Sequence, residues 1–502
     1  MLALFRFKQH IRFIVALSVS VVFLIASTRL AFAALSTVQL STDPYTNTTS
    51  QHQTEVEPDT FASGSTIVSA FQVGRFTDGG SSNIGFATSI NNGGTWTDGF
   101  LPGITKIVNP ANPYDRVSDP SVAFDARHNI WLVSSLAITT SGGTVLGAAV
   151  IVNRSTDGGL TWGNPIVVHA ASGSQNLDKD WIVCDSSASS AFFGNCYTEW
   201  DDNGSGNLIH MSTSTDGGLT WGSQKNTANS ATGLGGQPLV QSNGTVIVPI
   251  NNANETAVLA FTSTNGGTSW GSTVTVATVR HHTEAGSLRA DALPTAEIDR
   301  AGKVYVIWSD CRFESGCRAN DVVMSTSTNG TTWTAVTRIP ANPVGSGVDH
   351  FIPGLAVDRG TSGSTAHLVV AFYYYPVSNC GSSCQLNVGF SSSVNGGTSW
   401  TTTTNITGPI TLSWLANTTQ GRMVGDYIST SFAGTTGTAF PVFVGASVPT
   451  GGTSCGSTGV TCHEAAFTTA SGQASVKSNP VTNDAVFATA AVTIASGPLT
   501  AR

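Results

Sequence analysis

The sequence predicts an all-β protein assembled from one repeated unit. Only 10% of its 502 residues are charged, whereas ordinary globular domains carry about a quarter. Glycine (54 residues) is abundant, together with serine, threonine and asparagine, and these residues favour turns and strands over helix interiors. The net charge of −8, with no lysine- or arginine-rich run beyond the first dozen residues, argues against a nucleic-acid partner.

The N-terminus carries the pattern of a secretory signal peptide. Three basic residues precede an uncharged apolar run from Phe13 to Ala26, and Ala31-Phe32-Ala33 is a small-x-small cleavage signal. The apolar run is shorter than the roughly 20 residues that span a bilayer. We therefore expect residues 1–33 to be removed and the protein to be secreted, with an uncleaved N-terminal anchor as the alternative.

The eight cysteines fall into four local pairs. An even number in an exported chain indicates disulfides. A zinc site is the competing interpretation, but the sequence lacks the paired CxxC motifs that it needs. Proximity in the sequence predicts the bridges Cys184–Cys196, Cys311–Cys317, Cys380–Cys384 and Cys455–Cys462.

One short motif occurs six times, as in Ser155-Thr-Asp-Gly-Gly-Leu-Thr-Trp162. Its Asp or Asn can accept hydrogen bonds from backbone N–H groups two or three residues on, its glycines allow a positive φ, and its tryptophan buries a large ring. Six copies of one corner predict six copies of one supersecondary unit. The copies are Ser89–Trp96, Ser155–Trp162, Ser214–Trp221, Ser263–Trp270, Ser327–Trp333 and Ser393–Trp400.

A second signature precedes each copy: a short inner segment, a turn and an apolar strand. A seventh instance, from Asp426-Tyr427 to Ala446, has no tryptophan turn after it. Units of about 60 residues with four strands each are typical of propeller blades. We predict a β-propeller of seven blades over residues 55–470, with six blades plus a C-terminal extension as the alternative. Segment 34–54 is a candidate ring-closing strand, and 471–502 is a C-terminal strand or tail.

The motif S-x-D-x-G-x-T-W is the Asp-box, or BNR repeat. Over residues 55–470 the chain resembles the sialidase-like Asp-box β-propellers. The resemblance implies the propeller fold. It leaves the activity open, because sialidases, other glycanases, sorting receptors and assembly factors all carry this repeat.

Strand order predicts which face of such a propeller does chemistry. The Asp-box joins the third and fourth strands of a blade, so it lies on the same face as the turn between the first and second strands. The boxes are therefore predicted to be structural. The opposite face receives loops that are rich in charge for so uncharged a protein, including Glu57, Asp180 and Asp291.

Three arginines, Arg116, Arg289 and Arg422, lie just before the inner strands of three blades. Guanidinium groups bind carboxylates bidentately, and the resemblance implies a triad that holds a substrate carboxylate. It also implies a carboxylic acid, a tyrosine nucleophile and a glutamate partner. The candidates are Asp119 or Asp310 as acid, Tyr427 as nucleophile and Glu199 as its partner, with Arg75, Arg312 and Asp426 as further substrate-binding residues.

Two functions stay open at this point. The first is a secreted sialidase-like glycoside hydrolase that acts on a terminal, acidic sugar at the central face, and the three arginines with Asp426-Tyr427 favour it. The second is a non-catalytic propeller that binds glycan or protein. It is favoured because Gln72-Val-Gly-Arg75-Phe stands where sialidases carry an Arg-Ile-Pro motif. We expect a monomer with a glycan or glycoconjugate partner, no cofactor or metal, and no stable membrane insertion after signal cleavage.

Overall fold

The computed structural model describes residues 35–434 and 437–475. The predicted signal peptide and most of the predicted C-terminal tail lie outside the described residues. Between Leu35 and Ser475, in the parts described, no helix has the length and apolarity to cross a membrane. Helical structure there is confined to 3₁₀ turns at Asn203–Ser205, Ala285–Ser287, Gly363–Thr365, Gly381–Ser383 and Leu412–Trp414.

The strands follow one another in antiparallel order within each sheet. A short first strand, β1 (Thr37–Gln39), precedes the first sheet. The first sheet consists of β2 (Glu55–Ser63), β3 (Thr66–Arg75), β4 (Ser81–Ser89) and β5 (Thr97–Phe100). The second consists of β6 (Arg116–Asp125), β7 (Ile130–Ser141), β8 (Thr144–Ser155) and β9 (Ile166–Ala170), and one pairing of Ser81 with Val117 joins it to the first. The third consists of β10 (Leu177–Cys184), β11 (Cys196–Asp202), β12 (Leu208–Ser214) and β13 (Lys225–Asn226).

The remaining sheets repeat this plan. The fourth consists of β14 (Gly233–Leu234), β15 (Leu239–Val240), β16 (Val246–Asn252), β17 (Ala257–Ser263) and β18 (Val274–Thr278). The fifth consists of β19 (Thr295–Ile298), β20 (Val304–Asp310), β21 (Asp321–Ser327) and β22 (Thr337–Arg338). The sixth consists of β23 (Asp349–Val357), β24 (Leu368–Tyr375), β25 (Gln385–Ser393) and β26 (Thr404–Thr411). A hairpin of β27 (Ala416–Thr418) and β28 (Gly421–Met423) precedes the seventh, which consists of β29 (Ser429–Ala433), β30 (Thr438–Ala446), β31 (Glu464–Thr469) and β32 (Gln473–Ala474).

One strand of each sheet contacts its counterparts in the neighbouring sheets, in cyclic order within the described part of the chain. It is the first strand of each sheet except the fourth, where it is β15. β2 packs on β6, β6 on β10, β10 on β15 and β15 on β19; then β19 packs on β23, β23 on β29, and β29 returns to β2. These are the innermost strands, and we refer to the sheets as blades. The prediction of an all-β propeller is confirmed.

The N-terminal segment joins the last blade. β1 pairs with β31 in antiparallel register, with Thr37 opposite Thr469, and Leu40 N donates to Ala466 O at 2.8 Å. The outer strand of the seventh blade thus comes from the start of the described chain. Its backbone groups satisfy the edge of β31, which would otherwise be unpaired.

The Asp-boxes form the turns between third and fourth strands. In all six copies, each fully described, the serine hydroxyl accepts a glycine N–H, as from Gly159 N to Ser155 Oγ at 2.9 Å. Asp157 Oδ1 accepts from Thr161 N at 2.9 Å. The first box lies beside the β2–β3 turn, because Asn92 N donates to Ser65 O at 2.8 Å. The boxes therefore close hairpins at one face of the propeller.

All four predicted disulfides are present: Cys184–Cys196, Cys311–Cys317, Cys380–Cys384 and Cys455–Cys462. The first closes the turn between β10 and β11, on the Asp-box face. The other three brace the loops that follow β20, β24 and β30. Those loops lie on the opposite face, which we call the mouth, where the innermost strands begin.

Candidate functional site

The innermost strands of four blades begin with the same backbone irregularity. Their ladders shift register at a β-bulge, and there Glu57, Asp119, Lys179 and Ile352 have φ between 48° and 54°. A positive φ is uncommon for residues with a side chain and tends to occur where function requires it. Bulges also re-aim side chains. Three of the four residues have ionisable side chains. The bulge position is therefore the candidate centre of a functional site.

A cavity of about 240 Å³ opens at the mouth beside these bulges. We call it the mouth cavity. It lies between the first three blades. Its charged lining comes from the bulges, from the end of β3 and the loop after it, from the start of β10 and from the loop before β19. The charged lining residues are Glu57, Arg75, Asp78, Asp119, Asp178, Lys179 and Arg289.

The ammonium group of Lys179, in the third blade, contacts carboxyl groups of the first blade, of the second blade and of the loop before β29. Its Nζ forms an ion pair with Asp426 and lies 3.7 Å from Asp119 Oδ1 and 4.0 Å from Glu57 Oε1. Asp426 also accepts from Arg289 Nη2 at 2.5 Å. Lys179 has only 12% of its side chain exposed, and burial strengthens such pairs because water screens them little.

The neighbouring carboxyl groups differ in their affinity for protons. Burial, with the charges of Asp119 and Asp426, raises the pKa of Glu57 to about 7. Burial acts in the same direction on Asp426, but Arg289 and Lys179 outweigh it and hold the pKa of Asp426 below its usual range. Burial also raises the pKa of Asp119. One carboxyl that titrates near neutral pH beside one that stays ionised is the arrangement of an acid–base site.

Glu57 and Asp119 are close enough to act on one substrate bond. Both reach within 4.0 Å of the same Nζ, so their nearer oxygens are less than about 8 Å apart. Pairs of carboxyls in glycoside hydrolases lie roughly 5 to 9.5 Å apart. The Gln72 side chain links Glu57 to Arg75, because its amide donates to Glu57 and its Oε1 accepts from Arg75 Nη1 at 2.8 Å.

The predicted nucleophile and its partner are not brought together. The Tyr427 hydroxyl donates to the Pro120 carbonyl oxygen at 3.0 Å, and its ring meets that of Trp181 edge-on at 5.1 Å. Burial raises the pKa of Tyr427 well above its usual value. Glu199 is fully buried against the backbone of Gly236, and burial raises the pKa of its carboxyl. Tyr427 is therefore held as a structural hydroxyl.

The predicted arginine triad is also dispersed. Arg116 pairs with Asp78 at 2.5 Å and lies over the Phe76 ring at 4.0 Å. Arg422 donates to the carbonyl oxygens of Leu415 and Cys455 at 2.8 and 2.9 Å. Of the three, Arg289 is the one that lines the mouth cavity.

The other predicted acid, Asp310, forms an ion pair with Arg312 at 2.7 Å and accepts from Trp308 Nε1 at 3.1 Å. Although burial acts to raise the pKa of Asp310, these donors lower it. A depressed pKa makes it a poor proton donor. Neither Asp310 nor Arg312 lines the mouth cavity.

Sequence reasoning missed Lys179 and gave Glu57 no role. The sequence signal was present: Lys179-Asp180 occupies the bulge position of Glu57-Pro58 and Asp119-Pro120. Anchoring the third unit one residue later, at Asp180-Trp181, hid the equivalence. Among the described residues, no three His, Cys, Asp or Glu side chains are arranged to hold a metal ion.

Comparisons with known proteins agree with this architecture. Residues 134–354 match the family described as BNR repeat-like domain. A search of the curated proteins found no match.

Several solved structures resemble the chain at low identity. A protein of unknown function from Dyadobacter fermentans is 15% identical with a TM-score of 0.44, covering 72% of this chain and 99% of its own. A leech intramolecular trans-sialidase is 12% identical with a TM-score of 0.41, covering 68% of each chain. The Hadza microbial sialidase Hz136 is 16% identical with a TM-score of 0.41, covering 71% of this chain and 66% of its own. Likeness at this level carries no information about activity. With six Asp-boxes and the family match over residues 134–354, the predicted resemblance to Asp-box, BNR-repeat β-propellers is confirmed.

Proposed function

We propose that this protein is a glycoside hydrolase that cleaves a terminal sugar in the mouth cavity, with Glu57 as the general acid. The observation that carries the proposal is the shared contact of Glu57 and Asp119 with Lys179. It sets two buried carboxyls beside one cavity.

Each residue has a distinct role in this reaction. Glu57, with its pKa raised to about 7 by burial and by its acidic neighbours, gives its proton to the glycosidic oxygen as the bond to the sugar breaks. Asp119 is the second carboxylate. It either takes a proton from the attacking water, or attacks the sugar to form a glycosyl ester that water then hydrolyses, with Glu57 taking the proton of that water. Lys179 and Arg289 keep Asp426 ionised, and its negative charge favours the protonated form of Glu57.

A non-catalytic propeller that binds glycan or protein at the mouth is the second candidate. The observation that favours it is the failure of two expected arrangements to form. Tyr427 is hydrogen-bonded to a backbone carbonyl, and the guanidinium groups of Arg116 and Arg422 have other partners. A sialidase-type reaction with a tyrosine nucleophile therefore has little support.

We also propose that the protein works outside the cell. The four disulfides support this, since such bridges persist in oxidising compartments. The signal-peptide pattern of residues 1–33 points the same way.

The test is hydrolysis of a panel of fluorogenic aryl glycosides by the purified protein. Glu57→Gln and Asp119→Asn should each lower kcat about 10²-fold or more on the best substrate. The control is Glu297→Gln, the same chemical change in a carboxyl that pairs with Arg359 at 3.3 Å and lies away from the mouth cavity. Glycan binding without turnover would support the second candidate instead.

A further inference from the structure

The charges around the mouth cavity bear on the kind of sugar that it accepts. We infer that this sugar is uncharged, an inference that rests on the proposed hydrolase function and names its substrate class. It differs from the acidic sugar that the sequence led us to expect, because that expectation depended on three arginines converging on one pocket.

Two of the three cations of the cavity are already paired with carboxylates. Lys179 contacts three carboxylates, Arg289 pairs with Asp426, and Arg75 donates to Gln72. In the described part of the chain these are the three cations that line the cavity.

Acidic groups are at least as numerous as these cations. Four carboxyls, Glu57, Asp119, Asp178 and Asp426, line the cavity or bond directly to its cations, and the fifth, Asp78, is already paired with Arg116. Even with Glu57 protonated, three negative charges face three positive ones. A substrate carboxylate would therefore add a fourth negative charge against three positive ones.

An additional anion is costly in such a place. A buried charge needs a partner and hydrogen bonds to offset its lost hydration, and like charges across an interface oppose binding strongly. To pair with Lys179, a substrate carboxylate would have to displace Asp426 or Asp119 from it. Displacing Asp426 would leave that buried carboxylate with Arg289 as its remaining cationic partner.

Sugar hydroxyls suit this lining better. A hydroxyl both donates and accepts, and the unpartnered polar atoms near the cavity are of both kinds. Arg75 Nε and Arg289 Nε are buried donors without a partner, and Asp426 Oδ1 is a buried acceptor without one. A neutral sugar can use both kinds without changing the net charge.

The experiment compares two substrates that differ only in a carboxylate. The wild-type protein is given 4-methylumbelliferyl glycosides in matched pairs: glucoside with glucuronide, and galactoside with galacturonide, in both anomers. An arabinofuranoside and a sialoside complete the panel. We expect kcat/KM for a neutral sugar to exceed that for its acidic partner by at least about tenfold. Equal or faster turnover of an acidic sugar would overturn the inference while leaving the hydrolase proposal intact.

A variant links the preference to the cavity charge. Asp178 lines the cavity, and its Oδ2 accepts from Asn203 Nδ2 at 3.0 Å. Asp178→Asn removes one negative charge while keeping an oxygen there, so the preference for the neutral member of a pair should narrow severalfold. The matched control, Glu297→Gln, should leave the preference unchanged. If the preference for the neutral sugar is unchanged in Asp178→Asn but altered in Glu297→Gln, the charge of this cavity does not set the preference, and the inference is contradicted.

Absence of turnover across the panel would contradict the hydrolase proposal. The preference for uncharged sugars would then be tested by measuring binding to a glycan array. Binding to neutral glycans that is weakened by Asp119→Asn would uphold it. Binding that depends on sialic or uronic acids, or no binding at all, would overturn it.

Discussion

Lys179 forms an ion pair with Asp426, a residue 247 positions further along the chain. The contact joins the third blade to the loop that leads into the seventh. Around it lie Glu57 and Asp119, each at the bulge of its own innermost strand. The proposed chemistry depends on this pair, since it sets the electrostatic environment of both carboxyls.

The first prediction concerns the pH dependence of activity. Lys179 acts to lower the pKa of both Glu57 and Asp119, so Lys179→Met should raise both. The pH at which activity falls as Glu57 loses its proton should then move upward. The measurement is the pH profile of kcat/KM.

Lys106→Met is the control for that experiment, because Lys106 is a surface residue paired with Asp115 at 2.8 Å. Its profile should match that of the wild type. A profile for Lys179→Met that moves to lower pH would contradict the assigned role of the ammonium group.

The second prediction concerns stability. In the folded protein burial raises the pKa of Glu57 to about 7, from 4.5 in the unfolded chain. The folded state therefore binds this proton more tightly, so the contribution of Glu57 to stability is complete below pH 4.5 and is lost as the pH rises through 7. Between pH 4.5 and 7, Tm should therefore fall less steeply with rising pH in Glu57→Gln than in the wild type.

Thermal unfolding by fluorescence between pH 4 and 8 measures this effect. Asp59, whose pKa burial also raises to about 7, should keep part of the slope in the variant. An unchanged slope in Glu57→Gln would show that Glu57 does not titrate in this window.

The fold was more predictable than the site, for a physical reason. An Asp-box needs the same serine, acidic or amide residue and glycine in every copy, because each makes a fixed hydrogen bond, such as that from Gly159 N to Ser155 Oγ. The bulge position has no such requirement. It holds Glu57, Asp119, Lys179 and Ile352 in different blades, so its equivalence is visible only once strands are in register.

The arginines show a second limit of sequence reasoning. Position before an inner strand brings a residue to the mouth but does not fix where its side chain points. Arg422 turns toward the disulfide-braced loop after β30 and donates to Cys455 O and Ser454 Oγ. In the sequence, Arg422 and Arg289 hold similar positions before an inner strand. The sequence therefore does not show that only Arg289 of the two lines the mouth cavity.

The third prediction follows from that placement. Arg422→Gln should leave kcat/KM within about threefold of wild type, because the guanidinium anchors a loop by roughly 1 kcal/mol per hydrogen bond and does not touch the cavity. It should instead speed proteolytic cleavage of the loop between β30 and β31. Arg289→Gln should do the reverse, lowering kcat/KM without exposing that loop. A large loss of activity in Arg422→Gln alone would restore the original triad hypothesis.

The fourth prediction concerns the Asp-boxes. Asp157 Oδ1 accepts from Thr161 N at 2.9 Å, and Oδ2 accepts from the Thr161 hydroxyl at 2.6 Å. Asp157→Ala should therefore lower the free energy of unfolding by about 1–2 kcal/mol and leave kcat/KM unchanged. Asp216→Ala, at the same position of the next box, should behave alike. Loss of activity in folded Asp157→Ala protein would indicate instead that the Asp-box face takes part in the reaction.

The proposal that Glu57 is the general acid is tested most directly by varying the leaving group. The measurement is kcat/KM of wild type and Glu57→Gln on two glycosides of the preferred sugar, one with a dinitrophenyl leaving group and one with an unactivated alkyl alcohol. The first leaves without a proton, whereas the second needs one. We predict a loss of less than about tenfold on the first and of at least about 10²-fold on the second. Equal losses on both substrates, or none on either, would contradict the assignment.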